Sequence, residues 1–515
     1  MCGILYINKR NITVKESNKA LGLMNHRGPD NQGFYSTGST FLGHARLSII
    51  DLDSRADQPF RYKNLLMSYN GEVYNYKELI IEHDLNVQTK SDTEVVLLMY
   101  AKFGEKCLSY LNGMFAFIIF NEDTGDTFIA RDRLGIKPLY YSNTGQGWIF
   151  SSEIASILEL EDSEFDQFGI RQYKKLRMTI NGYTIYKNIK TFPPAHYYYN
   201  GKFRRYWDLN VESKEPPKYE KLKWLLEDAI KLRKRSDVPV GSYLSGGLDS
   251  TILTYVLKPA NTWTVGFEEM NEFQWSDLAN RGINTNHHKT LVNRELFLLT
   301  LKWMLKKRRE PLSVPNEVLI YLMTKNVKKS NTVVLSGEGA DELFFGYDRI
   351  FKWAHSASIL DIKTFDEKYC YGSHKDDEVI DFAVQNLPGK TVEDNIAYFF
   401  QIIHLQGLLR RLDNSTMLCS VEARVPFVDH RLVELLAGTP FHWRMGKSFK
   451  DPLKKIFKDI IPKQIINRKK IGFPVPLDNI FINNNFHKSS MDDWLHFNIN
   501  HLLGENEESN KSAIE

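Results

Sequence analysis

Near Tyr219 the hydrophobic period of this 515-residue chain changes, and that change constrains the fold more than any other feature. Before it, short runs recur at Leu42–Ile50, Leu65–Tyr69, Phe115–Phe120, Thr127–Ala130, Trp148–Ser151 and His196–Tyr199. Gly, Asn and Asp clusters separate them, as antiparallel hairpins require. Ser91-Asp-Thr-Glu94 predicts a helix with a capping-box start that runs to Phe103. Residues 208–218, with Pro216-Pro217, read as a linker. Beyond it, apolar strands at Val238–Leu244, Thr262–Phe267 and Asn331–Leu335 alternate with helical stretches. That alternation implies a parallel sheet with helices on both faces. After Asp394 the chain reads as mostly helical, and the polar tail from about residue 483 is expected to fray. Two domains of different fold are expected, at 2–207 and 219–482.

Composition excludes several classes. Lys and Arg number 67 against 63 Asp and Glu, a net charge of +4 with the signs interspersed, so no nucleic-acid partner is expected. The longest apolar run, Met114–Phe120, is too short to cross a bilayer, and the N-terminus lacks a signal-peptide pattern, so no membrane partner is expected. Cys2, Cys107, Cys370 and Cys419 show neither metal spacing nor a disulfide framework. A reduced, cytoplasmic protein is the expectation.

Chemistry concentrates in two places. Removal of Met1 would give Cys2 a free α-amine with a pKa of about 7.7–8, a usable base one residue from its own thiol. Cys2 could instead be a small hydrophobe at a strand start. Arg46 offers a planar fork for a carboxylate. Tyr69-Asn-Gly-Glu72 fits a type I′ turn, or an oxyanion hole built from Asn70 and the Gly71 N–H. Asp92 could cap a helix or hold an ammonium group.

In the second half, Leu244-Ser-Gly-Gly-Leu-Asp-Ser250 joins a strand to a helix, where glycines and unpaired N–H groups suit an anion. The Gly-Lys-Ser/Thr ending of a Walker A loop is absent. Leu335–Phe344 brings Glu338, Asp341 and Glu342 after another strand, donors suited to Mg²⁺ beside phosphate or to a helix start. Lys450 is either a solvated lysine or a charge partner for pyrophosphate.

The motifs Met1–Ile4, His26–Asp30, Gly43–Ser48, Tyr69–Glu72, Ser91–Glu94 and Arg131–Tyr140 together resemble class II glutamine amidotransferases. Ser245–Ser250, Val265–Phe267, Glu310–Leu312, Ser336–Tyr347, Ser420–Phe427 and Arg468–Phe473 resemble the asparagine synthetase (glutamine-hydrolysing) family. The resemblance implies an αββα N-terminal-nucleophile sandwich joined to a doubly wound α/β parallel sheet of the ATP-pyrophosphatase type. It implies catalytic roles for Cys2, Asn70, Gly71 and Glu338. Arg46, Leu47, Ser48, Ile49, Ile50, Asn70, Gly71, Glu72 and Asp92 would bind glutamine. Leu244, Ser245, Gly246, Gly247, Asp249, Ser250, Val265, Ser336, Gly337 and Lys450 would bind ATP, with Asp249 and Asp341 on Mg²⁺. Ser420–Phe427 and Arg468–Phe473 would be scaffold. Aspartate would be amidated through β-aspartyl-AMP, with ammonia crossing a domain-interface channel, and a homodimer is allowed. The alternatives are another acceptor carboxylate, of a sugar acid or a peptide, and a non-catalytic relative. Asn414 at a commonly basic position and Phe345 for a usual glycine depart from the family pattern.

Overall fold

Alternating apolar residues in the first half build two six-stranded antiparallel sheets. The computed structural model describes residues 2–469, 474–481 and 489–504. In the first sheet Gly3–Lys9 lies between Thr40–Arg46 and Gly147–Ser151. In the second, Leu65–Val73 pairs with Gly113–Asn121, which pairs with Thr127–Arg131. The inner faces meet over Ile4, Tyr6, Leu66, Ala116 and Ile118, all essentially without solvent contact, while Leu5, Met67, Phe115 and Phe117 turn outward under the helices. Val14–Gly22 packs outside the first sheet and Asp92–Phe103 outside the second. The result is the expected αββα sandwich.

The second domain is a five-stranded parallel sheet in the order Asn286–Val292, Asn261–Phe267, Val240–Tyr243, Val333–Leu335, Glu422–Arg424. Every pairing in it is parallel, and helices cover it. Gly241 is required here, because a Cβ would lie 2.3 Å from the Trp263 ring. No helix among the described residues is long and apolar enough to cross a membrane.

Several local expectations need correction. The strand expected at Leu42–Ile50 ends at Arg46, after which Leu47–Ile50 leave the sheet as a loop, the Ser48 N–H held by the Asp30 carboxylate at 2.8 Å. Tyr69–Glu72 is no turn: it continues the Leu65–Val73 strand in register with Met114–Phe117. Ser91 caps its helix by accepting from Thr93 N, but Glu94 does not complete a capping box. It accepts instead from the Gln88 and Thr89 backbone N–H groups. The edge strands Asn286–Val292 and Glu422–Arg424 were not among the expected ones.

The tail departs most. Ser490–Leu503 is a helix, with Trp494 fully buried and its ring centroid 6.3 Å from that of Phe297. Its polar sequence hides a stripe of Trp494, Leu495, Phe497 and Ile499 that packs on Arg294–Arg308 and on Gln167–Leu176 of the first domain. Residues 470–473 of the Arg468–Phe473 motif lie outside the described residues.

Candidate active site

Cys2 immediately precedes the Gly3–Lys9 strand and faces Asn70 on the opposite sheet. Its backbone N–H donates to Asn70 Oδ1 at 3.0 Å, and its carbonyl accepts from Arg27 Nε at 3.0 Å. Asn70 Nδ2 is buried with no hydrogen-bond partner among the described residues. One end of this amide is therefore spent on fixing Cys2, and the other remains available as a donor. Gly71 must be glycine: a Cβ there would lie 2.4 Å from the Met114 carbonyl oxygen on the paired strand. Burial pushes the Cys2 thiol pKa up, against the pull of the Leu47 N–H and the Arg46 charge.

A cavity of about 30 Å³, room for one or two waters, adjoins the thiol. Arg46, Leu47, Ile49, Ile50 and Gly71 line it, while Ser48 and Asn70 do not. Glu72 and Asp92 form its acidic side. Asp92 is the first residue of its helix and accepts from Tyr69 Oη at 2.7 Å and Val73 N at 2.9 Å. Burial still raises its pKa to about 6. Burial, then the Asp92 charge, pushes Glu72 well above the usual carboxylate range, with Arg424 opposing. The Arg46 fork is engaged by its own following loop, donating to the Asp51 carbonyl, the Asp53 carbonyl at 3.0 Å and the Asp57 carboxylate at 2.5 Å.

The second site forms at the C-terminal ends of two neighbouring strands. Gly246 adopts φ +76°, and a Cβ there would lie 2.3 Å from the Trp275 carbonyl carbon, so both conformation and space demand glycine. Ser245 Oγ accepts from Gly247 N at 3.2 Å and lies 3.1 Å from Ser250 Oγ, which folds the loop back onto the helix Leu248–Leu257. Leu244 is tied to Trp263 O at 2.8 Å, and Val265 lies buried on the strand that carries Trp263. Ser336 and Gly337 leave the adjacent strand so closely that a Gly337 Cβ would be 3.2 Å from Asp249 Cβ.

Three charged groups converge there. Lys450 Nζ ion-pairs with Asp249 and lies 2.6 Å from Asp341 Oδ1. Burial opposes its charge, but the two carboxylates raise its pKa and keep it an ammonium. Asp249 and Asp341 thus flank one small cation, and two carboxylates beside an anion loop are a donor set that fits Mg²⁺ with phosphate. Next to them Glu342 is buried, accepts from Tyr347 Oη at 2.5 Å, and has its pKa raised to about 7 by burial and by Asp341. Glu338 pairs with Arg411 at 3.0 Å.

Several residues escaped the sequence reading because they act across the fold. Arg468, expected only as scaffold, donates to the Gly246 carbonyl at 3.2 Å and so holds the loop. Asp413 receives Arg27 at 2.8 Å and Lys137 at 3.3 Å, both from the first domain. Glu422 and Arg424, read as scaffold, reach the Cys2 cavity: Glu422 lines it, and Arg424 Nη2 meets Glu72 at 3.1 Å. Only their buried charge type signalled this.

A facing pair of antiparallel sheets with a cysteine at its edge, joined to a parallel sheet with a Ser-Gly-Gly-Leu-Asp-Ser loop, defines a two-domain glutamine amidotransferase. Residues 1–207 match the family model of the glutamine amidotransferase domain, and residues 221–502 match that of asparagine synthase. The chain belongs to the asparagine synthase family. It is 29% identical to asparagine synthetase [glutamine-hydrolyzing] 1 of Bacillus subtilis, covering 96% of this chain and 89% of that one. Asparagine synthetase [glutamine-hydrolyzing] 3 of the same organism is 30% identical, over 92% of this chain and 87% of that one. A putative asparagine synthetase [glutamine-hydrolyzing] 2 of Methanocaldococcus jannaschii is 34% identical, over 67% of this chain and 76% of that one.

Proposed function

We propose that the chain hydrolyses glutamine at Cys2 and uses the ammonia to convert aspartate into asparagine through β-aspartyl-AMP, releasing AMP and pyrophosphate. The observation that carries the first half is the Asn70 amide, anchored to Cys2 through Oδ1 and, among the described residues, unpartnered at Nδ2. After removal of Met1, the Cys2 α-amine takes the thiol proton as the sulfur attacks the carboxamide carbon. Asn70 Nδ2 and the Gly71 N–H donate to the developing oxyanion. Protonated by the same amine, ammonia leaves, and water then cleaves the thioester to glutamate. Glu72 and Asp92 face the substrate ammonium, and Arg46 receives its carboxylate once released from the Asp51–Asp57 loop.

In the second site the Ser245–Ser250 backbone N–H groups bind pyrophosphate oxygens at a helix start. Asp249 and Asp341 would hold Mg²⁺, which neutralises phosphate charge when bound. Lys450 supplies positive charge beside the departing pyrophosphate, and Glu338, fixed by Arg411, lies at the acceptor side. The decisive assay is pyrophosphate release from MgATP with glutamine, with and without aspartate, scoring asparagine. Matched aspartate-dependent yields support the reading, and flat pyrophosphate with continued glutamate formation overturns aspartate as acceptor. One observation favours a second acceptor: Asn414 is neutral and is bound to Glu310 at 2.6 Å. A sugar-acid or peptide carboxylate is that alternative.

A further inference from the structure

The two sites meet in one side chain. Arg424 is fully buried on the outermost strand of the parallel sheet, and its backbone carbonyl accepts from Ser336 N at 2.9 Å, at the start of the nucleotide loop. Its guanidinium points the other way. Nη2 donates to Glu72 in the Cys2 cavity at 3.1 Å, and Nε donates to Glu422, which lines the same cavity, at 2.5 Å. Nη1 is fastened to the Arg233 carbonyl at 2.9 Å and the Arg235 carbonyl at 2.5 Å. Five donors on a rigid fork leave little freedom, so a shift of the strand is a shift of Glu72. Glu72 has no other restraint on its second oxygen: Oε1 is buried without a hydrogen-bond partner among the described residues.

We propose that Arg424 is a positioning residue of the glutamine site, holding Glu72 for the substrate ammonium and making glutamine affinity depend on the nucleotide loop bound to its own backbone. The inference rests on the proposed glutaminase role of the Cys2 cavity and adds the regulation of that site. Strand Val333–Leu335 pairs with Glu422–Arg424 residue for residue, Leu335 opposite Arg424, so loop closure on phosphate pulls directly on this residue. Coupling of this kind is reciprocal: glutamine in the first site tightens or loosens nucleotide by the same factor.

The test uses the full-length enzyme and follows glutamate release against glutamine concentration, with and without MgATP and with no acceptor present. The wild-type KM for glutamine is expected to change several-fold on adding MgATP. Arg424→Lys keeps the charge but not the fork. It is expected to raise that KM about tenfold and abolish its response to MgATP, with glutamine-driven synthesis falling more than ammonia-driven synthesis, which bypasses the glutamine site. Glu422→Gln, isosteric and lacking the charge that pairs with Arg424 Nε, should give a smaller shift in the same direction. A wild-type KM indifferent to MgATP overturns the coupling without any variant. Equal loss of glutamine- and ammonia-driven synthesis in Arg424→Lys would show a structural role alone and overturn it as well. Absence of glutamate under every condition would overturn the glutaminase reading, and this inference with it.

Discussion

Asn70 shows how much one side chain can decide. Its two ends serve different tasks, so Asn70→Ala should lower the rate of glutamate formation by about 10²–10³ while ammonia-driven synthesis continues. Cys2→Ala should abolish glutamate formation and spare the ammonia-driven reaction, measured by asparagine yield from ammonium salts. Asp92 gives the pH dependence. With a folded pKa raised to about 6, it loses its charge as pH falls below that value, and with the charge goes its attraction for the substrate ammonium. The kcat/KM for glutamine should therefore fall below pH about 6, and Asp92→Asn should remove that acid limb. The candidate residues were legible because their residue types are rare in such combinations: a cysteine at position 2, an Asn-Gly pair, and paired glycines after an apolar strand. The state of Arg46 was not, since no pattern announces that three loop oxygens occupy its fork.

At the level of elements, hydrophobic period identified most strands but not their ends. Leu47–Ile50 is as apolar as the strand before it, yet it turns away to line the Cys2 cavity. Burial of a run does not distinguish a strand from a packed loop. The tail helix was missed for the opposite reason: Asp492, Asp493 and Asn498 are themselves buried among the apolar residues, so the packed face reads as polar. Trp494 sits where both domains converge on that helix, and Trp494→Ala should cost about 3–5 kcal/mol, read as a lowered denaturant midpoint. A shift indistinguishable from wild type would show that the helix contributes little.

Across the whole molecule, buried charges pair from one domain to the other. Arg27 and Lys137 are buried and share Asp413 across the interface. Asp413→Ala would remove the ion pair of buried Lys137 and leave Arg27 with Glu153 alone at 3.3 Å, a change expected to cost about 3–5 kcal/mol in thermal unfolding, whereas exposed pairs such as Lys187–Glu164 should be nearly silent. By itself the sequence determined the two fold classes, the order of the domains, and the candidate residues of each site, because period and residue chemistry are local properties. Only the tertiary structure decided which charges meet: that Lys450 sits between Asp249 and Asp341, that Asp413 binds the first domain, and that Arg424 faces Glu72 some 350 positions away. Buried ion pairs are set by where sheets come to rest against each other, and burial makes an unmatched charge too costly to keep. That juxtaposition has no period for a sequence to display.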